Sequence, residues 1–445
     1  MNYRHIVFTC LTVLLFAPLI SVGQMDNLAN MSAKWVRSNV RNAATDAADI
    51  VNYNPAGLTS MNNGIHLSLS NQTLFRKPQH SFNLGAGEQS YEQDGIDPIL
   101  PMFYAAYKVN KLAFYSGVYV SGGGASANYP DGSISTNLLG YQIMAQANAA
   151  IPGDAADYKM VANQHLKASS YYLTVPIGVA YAINEKLSLS VGARYLKGIN
   201  KTEAGMELAG SAALPNSPFS VSYNAYANGF GGVFGVNYKA TDRLNLSAHF
   251  ETKVKMEFET EDFEGNVPLT ANGKKSRRDL PAVLNTGLMY KITDKFSVGA
   301  DYNYYFQTYA DWGKITDPRD GNVYEASDVA GDCYTANLGF YYQLSPKLEL
   351  STGCSYTAFE YDDKELYYTT LGPYEALKNN NFNVGIGAGY KVTEKIQVDL
   401  AFARTFWKDY TINAISAANP LMPNGLPVKT TDKGYVIAVG FDFSF

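Results

Sequence analysis

Along most of the chain apolar and polar residues alternate with a period of two. In Lys295–Phe306, K-F-S-V-G-A-D-Y-N-Y-Y-F, one face carries Phe296, Val298, Ala300, Tyr302 and Tyr304; the other carries Ser297, Gly299, Asp301 and Asn303. Alternation sustained over about ten residues predicts a β-strand with one apolar and one polar face. Such strands come in pairs around a recurring unit: Tyr, a few residues including polar turn formers, Lys or Arg, then an apolar residue. The copies are Tyr107–Leu112, Tyr181–Leu187, Tyr238–Leu244, Tyr290–Phe296, Tyr342–Leu348 and Tyr390–Ile396. Asn, Asp, Ser and Pro within them are hairpin residues.

Six such turns join twelve strands, and the alternating stretches Ile65–Phe75 and Gly434–Phe445 bring the total to fourteen. On the other side the connections are long: Arg76–Leu100, Gly122–Ser170, Lys201–Phe219, Glu259–Asp279, Gly313–Gly331, Asp362–Asn379 and Thr411–Asp432. Short turns on one rim and long loops on the other are the pattern of a transmembrane barrel. A soluble β-sandwich would not need every long loop at one end. Tyr ends the strands at the short turns, and Tyr304-Tyr305-Phe306, Trp312 and Phe406-Trp407 end them at the far rim. These are the two aromatic girdles of a membrane-spanning wall. The predicted fold is all-β, a 14-stranded antiparallel transmembrane β-barrel over residues 64–445, with Tyr435, Ile437, Val439, Phe441, Phe443 and Phe445 facing lipid on the last strand.

Composition agrees with this and removes other classes. Charged residues are 17% of 445, against roughly 25% in soluble domains, and aromatics are 13%. A disordered chain is excluded, and after the first 20 or so residues no apolar run is long enough for a membrane-spanning helix. A net charge of −5 without a basic block argues against nucleic acid as a partner. Arg4 and His5, the apolar run Ile6–Ile20 and Ser21-Val22-Gly23 read as a secretory signal over 1–23. Of the cysteines left after it, Cys333 and Cys354, the strand parity predicts opposite faces of the wall and no bridge.

Between signal and barrel, residues 24–63 lack strand alternation and contain D-A-A-D-I-V-N-Y-N-P-A-G-L, Asp46–Leu58. Asn54 before Pro55, then Ala56 and Gly57, is a turn tetrapeptide. Fourteen strands enclose a lumen that would leak if empty, and this segment is about long enough to plug it. With an N-P-A-G hatch placed between a signal and a fourteen-strand pattern, the chain resembles the FadL family of outer-membrane transporters for long-chain fatty acids and other hydrophobic compounds. One stretch departs from the family pattern: Arg37–Thr45, R-S-N-V-R-N-A-A-T, stands where many members have Gly-Gly-Ala.

The resemblance implies passive uptake of hydrophobic small molecules across the outer membrane of a Gram-negative bacterium, long-chain fatty acids foremost. It also implies capture among outer loops, a lumen pocket beneath, and hatch-gated lateral release at a kink in the third strand. Asn54, Pro55, Ala56 and Gly57 would then form the gating turn. Gly117, Gly122 and Gly123, in and after the third strand Lys111–Ser121, would mark the kink. The apolar loop residues Leu138, Leu139, Tyr141 and Ile143 are candidate ligand contacts, since such a segment would otherwise pack or stand exposed. Parity sends Arg194, His249, Glu251, Asp301, Glu349, Asp399 and Asp442 into the lumen, where buried charges pair with one another; Arg194 is the one cation that could meet a ligand carboxylate. The terminal Phe445 resembles the signal read by the barrel assembly machinery, and a monomer among outer-membrane lipids is expected. Four histidines outside the signal, His66, His80, His165 and His249, fall in no catalytic or metal-ligating spacing, and no phosphate-binding Gly loop is present. No enzyme activity, cofactor or metal is expected. An aromatic-hydrocarbon transporter of the same family and a porin-like channel are the alternatives.

Overall fold

The computed structural model describes residues 31–83, 87–151, 157–210, 214–371, 373–375, 379–414 and 425–445. The predicted signal, residues 1–23, and the start of the predicted hatch, 24–30, lie outside the described residues.

The wall is a closed antiparallel barrel of fourteen strands. They are β1 Gly64–Arg76, β2 Ile96–Val109, β3 Leu112–Tyr129, β4 Met160–Ala182, β5 Leu187–Ala209, β6 Ser217–Lys239 and β7 Leu244–Glu251. The series continues with β8 Ala282–Lys291, β9 Phe296–Phe306, β10 Cys333–Ser345, β11 Leu348–Phe359, β12 Asn381–Thr393, β13 Ile396–Trp407 and β14 Lys433–Ser444. Each pairs with its neighbours in sequence, and β14 closes on β1 from His66 opposite Ser444 to Arg76 opposite Gly434. The recurring unit is explained by its fourth residue. Asn184 Oδ1 accepts the backbone N–H of Lys186 and of Leu187, at 2.8 and 2.9 Å. Thr241, Thr293 and Ser345 repeat the bonds with their hydroxyls. Thr393 does the same for Lys395, whereas the turn at Asn110 is made by its own φ of 52°.

The unit's first residue also has a fixed place. Tyr107, Tyr181, Tyr238, Tyr290, Tyr342 and Tyr390 all face outward and are exposed, one at each inner turn. Above them the wall presents Phe103, Ile177, Val191, Phe230, Ile386, Leu400 and Ile437 to the outside. The lipid-facing apolar belt is therefore continuous. Cys333 is buried and pairs in register with Phe359, whereas Cys354 is opposite Leu338, and neither forms a disulfide. Reduction of the purified protein is expected to leave its intact mass unchanged.

Three strands outgrow the bilayer. β4, β5 and β6 have 23 residues each, about twice the 9–11 that a membrane requires. Segments expected as loop, within Gly122–Ser170 and Lys201–Phe219, instead continue the ladder outward, from Ala127 opposite Ala168 to Leu208 opposite Ser217. The third strand accordingly ends at Tyr129 rather than Ser121.

The outer loops fold into a cap. Four short strands, Tyr410–Ala414, Leu426–Thr431, Gln79–Asn83 and Glu88–Glu92, form a second sheet in that order. Helix α1, Ala33–Ser38, belongs to the hatch, and helix α2, Ile134–Ala149, lies with the cap strands. Trp312, Tyr367, Tyr368, Ile412 and Val428 pack in one core with Val283, Tyr305 and Cys333 at the top of the wall, so the cap is continuous with the barrel.

Candidate functional site

The segment before β1 fills the lumen. Helix α1, Ala33–Ser38, starts where the Ser32 hydroxyl accepts the Trp35 N–H at 3.2 Å and ends at Asn39, whose φ is 61°. Two 3₁₀ turns follow, Ala48–Val51 and Pro55–Ser60. Asn54 caps the second: its Oδ1 accepts the Ala56 N–H at 3.3 Å, and its Nδ2 donates to the Val236 carbonyl of β6 at 2.9 Å. Pro55, Ala56 and Gly57 are buried beneath it. The motif therefore closes a turn and ties the hatch to the wall. Replacing Asn54 by Ala removes both bonds, an expected loss of about 1–2 kcal/mol in hatch docking. Faster hydrogen exchange over residues 48–60 with unchanged barrel protection would show it.

Two hatch cations, Lys34 and Arg37, hold this segment to lumen acids, and a third, Arg41, is paired within the hatch. Lys34 Nζ lies 3.4 Å from Asp399 and 3.2 Å from Asp442. Arg37 donates to Ser351 Oγ at 2.8 Å and Glu349 Oε1 at 2.7 Å, with its Nε 3.1 Å from Asp399. Arg41 is bound to Asp46 at 2.7 Å and to Asp49 through two nitrogens. The Arg41 and Asn42 backbone N–H groups donate to Asp301 at 2.7 and 2.9 Å. The wall makes room by lacking side chains: a Cβ at Gly353 would overlap the Ser38 carbonyl oxygen, and one at Gly385 that of Val36.

On the opposite wall the hatch turns its apolar side outward. Ile50, Val51 and Leu58 pack with Met102, Tyr104, Tyr115 and Tyr119 of β2 and β3. Here the wall itself is discontinuous. The β2–β3 ladder runs from Val109 opposite Leu112 only to Phe103 opposite Val118, although β2 extends to Ile96 and β3 to Tyr129. Farther out the two strands are rejoined when the Ser126 N–H and hydroxyl donate to Asp97 at 3.0 and 2.7 Å. Between these points β3 also slips its register against β4, between Val120 and Gly122 and again between Gly123 and Ala125. Gly123 takes φ 70°, which only glycine adopts without strain. Pro98 and Pro101 on β2 carry no N–H to bridge the space. Of the three predicted kink glycines, Gly122 and Gly123 lie in the slipped segment. Gly117 sits in regular ladder opposite Tyr104, just before the ladder ends.

Above the hatch is a cavity open to about 50 Å³ of water-sized molecules, bordered by Trp35, Asn42, Tyr53, Tyr119, Ser121, Arg194, Glu251 and Tyr305. That volume holds a few waters; an alkyl chain needs side chains or the hatch to move. Tyr119 and Ser121 lie on β3 just past the end of its ladder with β2, so the cavity reaches the discontinuity. Arg194 lies in the cavity wall as parity predicts, and its guanidinium is already taken: it is ion-paired with Glu251 and donates to the Thr252 carbonyl at 2.9 Å. The other predicted ligand residues are on α2, not on a free loop. Leu139 and Ile143 are buried with Tyr129, Val161, Leu208 and Phe219; Tyr141 packs at the edge of that core and Leu138 against the cap core.

The N-terminus of α2 locks the cap. His80 Nε2 accepts the Ile134 N–H at 2.9 Å, and Glu375 accepts the Ser135 N–H at 3.2 Å. Burial pulls the His80 imidazole from 6.5 down to about 3, so the folded cap keeps it neutral while an opened one protonates it. Its contribution is complete above about pH 6.5 and is lost as pH falls from there towards 3. Protease cleavage within the outer loops is expected to increase between about pH 7.5 and about pH 5, and His80→Gln to flatten that profile.

The sequence model of the outer membrane protein transport protein family (OMPP1/FadL/TodX) matches residues 139–445. No curated protein sequence matches the chain. Among solved structures, a Pseudomonas aeruginosa FadL homologue is 15% identical with a TM-score of 0.65, covering 94% of this chain and 98% of its own. The P. putida toluene transporter TodX is 16% identical with a TM-score of 0.62, covering 91% and 96%. The Ralstonia pickettii toluene transporter TbuX is 15% identical with a TM-score of 0.58, covering 94% and 98%. At these identities the structures share the fold, and the family match carries the assignment: this chain belongs to the OMPP1/FadL/TodX family of outer-membrane transport proteins.

Proposed function

We propose that the protein takes up hydrophobic small molecules passively, passing them from the capped outer rim to the lumen cavity and sideways through the wall between β2 and β3. The observation that supports this most is the contact between cavity and discontinuity: Tyr119 and Ser121 line the first and belong to the second. The apolar side of the hatch, Ile50, Val51 and Leu58, covers the same stretch from inside, so its displacement would connect lumen to lipid. The Asn54–Gly57 turn and the slipped segment at Gly122–Gly123, with Gly117 at its lower edge, are the gating elements in this scheme. Leu138, Leu139, Tyr141 and Ile143 are ligand contacts only when α2 lifts from its core.

Long-chain fatty acids and monoaromatic hydrocarbons both fit an apolar route; solved neighbours include toluene transporters. The Arg194–Glu251 pair favours a neutral occupant of the cavity, because a guanidinium already neutralised offers a carboxylate no net charge. Each buried CH₂ contributes about 0.8 kcal/mol, enough for useful affinity without a counter-ion. Transport needs no cofactor or catalysis, and a monomer in outer-membrane lipid, inserted by the barrel assembly machinery through Phe445, suffices. A deletion strain should lose uptake of labelled oleate or of labelled toluene while hydrophilic solutes enter as before. Loss of sugar or amino-acid influx instead would make the protein a porin. Binding of a fluorescent fatty acid should be equal in wild type and Arg194→Ala if the cavity takes neutral chains; a marked loss would restore Arg194 as a carboxylate ligand.

A further inference from the structure

We propose that Lys167, Lys197 and Lys201, on the outside of β4 and β5, form a binding site for the phosphate groups of an acylated lipid in the outer leaflet. The ladder brings them together. Lys167 is opposite Glu203 and Lys201 opposite Ser169, so the two lysines are diagonal neighbours on adjacent strands. Lys197 sits four residues below Lys201 and opposite Leu173. Its Nζ leans 6.0 Å over the ring of Tyr226, which pairs with Ile199, the residue midway to Lys201. Lys167 and Lys201 therefore stand side by side, and Lys197 reaches up towards them from four residues below.

Together they straddle the membrane boundary. Tyr181 and its partner Leu189 mark the inner girdle. Counted from them at about 3.3 Å per residue and about 40° of tilt, Lys197, Lys201 and Lys167 stand roughly 20, 30 and 35 Å up the wall. The apolar band of such barrels is about 25 Å tall, so Lys197 lies just inside its outer edge and the other two just outside. A lysine near that edge is tolerated when its stem reaches up to the headgroups, where an anion can meet its charge. Protein anions do not supply one. All three side chains are exposed, and among the described residues none is in an ion pair; Glu203 reaches only His165, at 4.0 Å. Lys167 and Lys201 instead border an open groove of about 460 Å³ with Ser126, Asn224, Asp94 and Glu203. Below it the wall offers Leu173, Ile177 and Val191 to acyl chains. Three cations against the two carboxylates of Asp94 and Glu203, hydroxyl and amide groups beside them and an apolar surface beneath match a lipid whose headgroup carries phosphate.

The test compares thermal unfolding of the purified full-length protein in non-ionic detergent with three additives: phosphorylated lipid A, the same lipid A dephosphorylated, and inorganic phosphate. Phosphorylated lipid A should raise Tm in wild type and the other two should not. Lys167→Gln, Lys197→Gln and Lys201→Gln should each weaken the apparent affinity about fivefold, and together about 100-fold. Lys295→Gln with Lys347→Gln, which removes charge at the inner turns, should leave it unchanged. The proposal is overturned if dephosphorylated lipid A or inorganic phosphate gives the same shift, or if all three single variants keep wild-type affinity. Because each single variant is read separately, the proposal stays open to refutation even if the triple variant assembles poorly.

Discussion

Arg37→Met is expected to unplug the barrel without unfolding it. The side chain is fully buried and binds Ser351, Glu349 and Asp399, on β11 and β13. Methionine keeps most of the volume and removes the charge, leaving Asp399 buried with Lys34 as its remaining cation. Breaking one side of a buried ion pair costs about 3–5 kcal/mol. The loss falls on hatch docking, since the fourteen-strand ladder does not pass through Arg37. In planar bilayers the variant should show ion conductance that wild type lacks, and a small hydrophilic dye should enter cells expressing it. Folded barrel with wild-type conductance would mean that Lys34 and the Asp301 contacts hold the hatch unaided.

Gly123→Val should act at the wall instead. A Cβ at this position would overlap the Ser170 carbonyl oxygen, and φ 70° is strained for a β-branched residue. Regaining an extended conformation removes the register slip and lets β3 continue its ladder towards β2. Uptake of the hydrophobic substrate should then fall at least about tenfold, since the exit is narrowed while the cap and Arg194 are untouched. Binding of a fluorescent alkyl probe should persist. Unchanged uptake would remove the β2–β3 discontinuity from the route.

What is legible in the sequence and what is hidden follow from the range of each signal. Strand count, turn side and lipid face depend on alternation within ten residues and on the local Tyr-to-Lys unit, so they can be read without knowing the partners. The extra length of β4–β6 is hidden because Lys201, Glu203 and Glu207 look like loop polarity, whereas alternate residues Ala204, Met206 and Leu208 are buried. The role of the hatch cations is hidden because their wall partners lie some 300 residues away. A clue is nonetheless present: parity puts five acids and one arginine in the lumen, and such an excess needs cations from elsewhere. Lys34 and Arg37 supply them. Whether the apolar loop segment binds or packs depends on α2 having a core to fold against, which composition alone does not reveal.

The partners of the hatch also set a timetable. Lys34 and Arg37 precede the wall in the chain, yet their acids stand on β11, β13 and β14, among the last strands to be made. Phe445 completes the seam only when its N–H and carbonyl meet Ile65 at 2.9 and 3.0 Å. Closing a loop of that length is entropically slow. The plug therefore waits, charged and unpaired, until the final strands arrive, and a half-built barrel is an open one. Insertion that let the wall close before the N-terminal segment had entered would strand Lys34 and Arg37 outside the lumen, so the order of assembly is written into the position of their salt bridges.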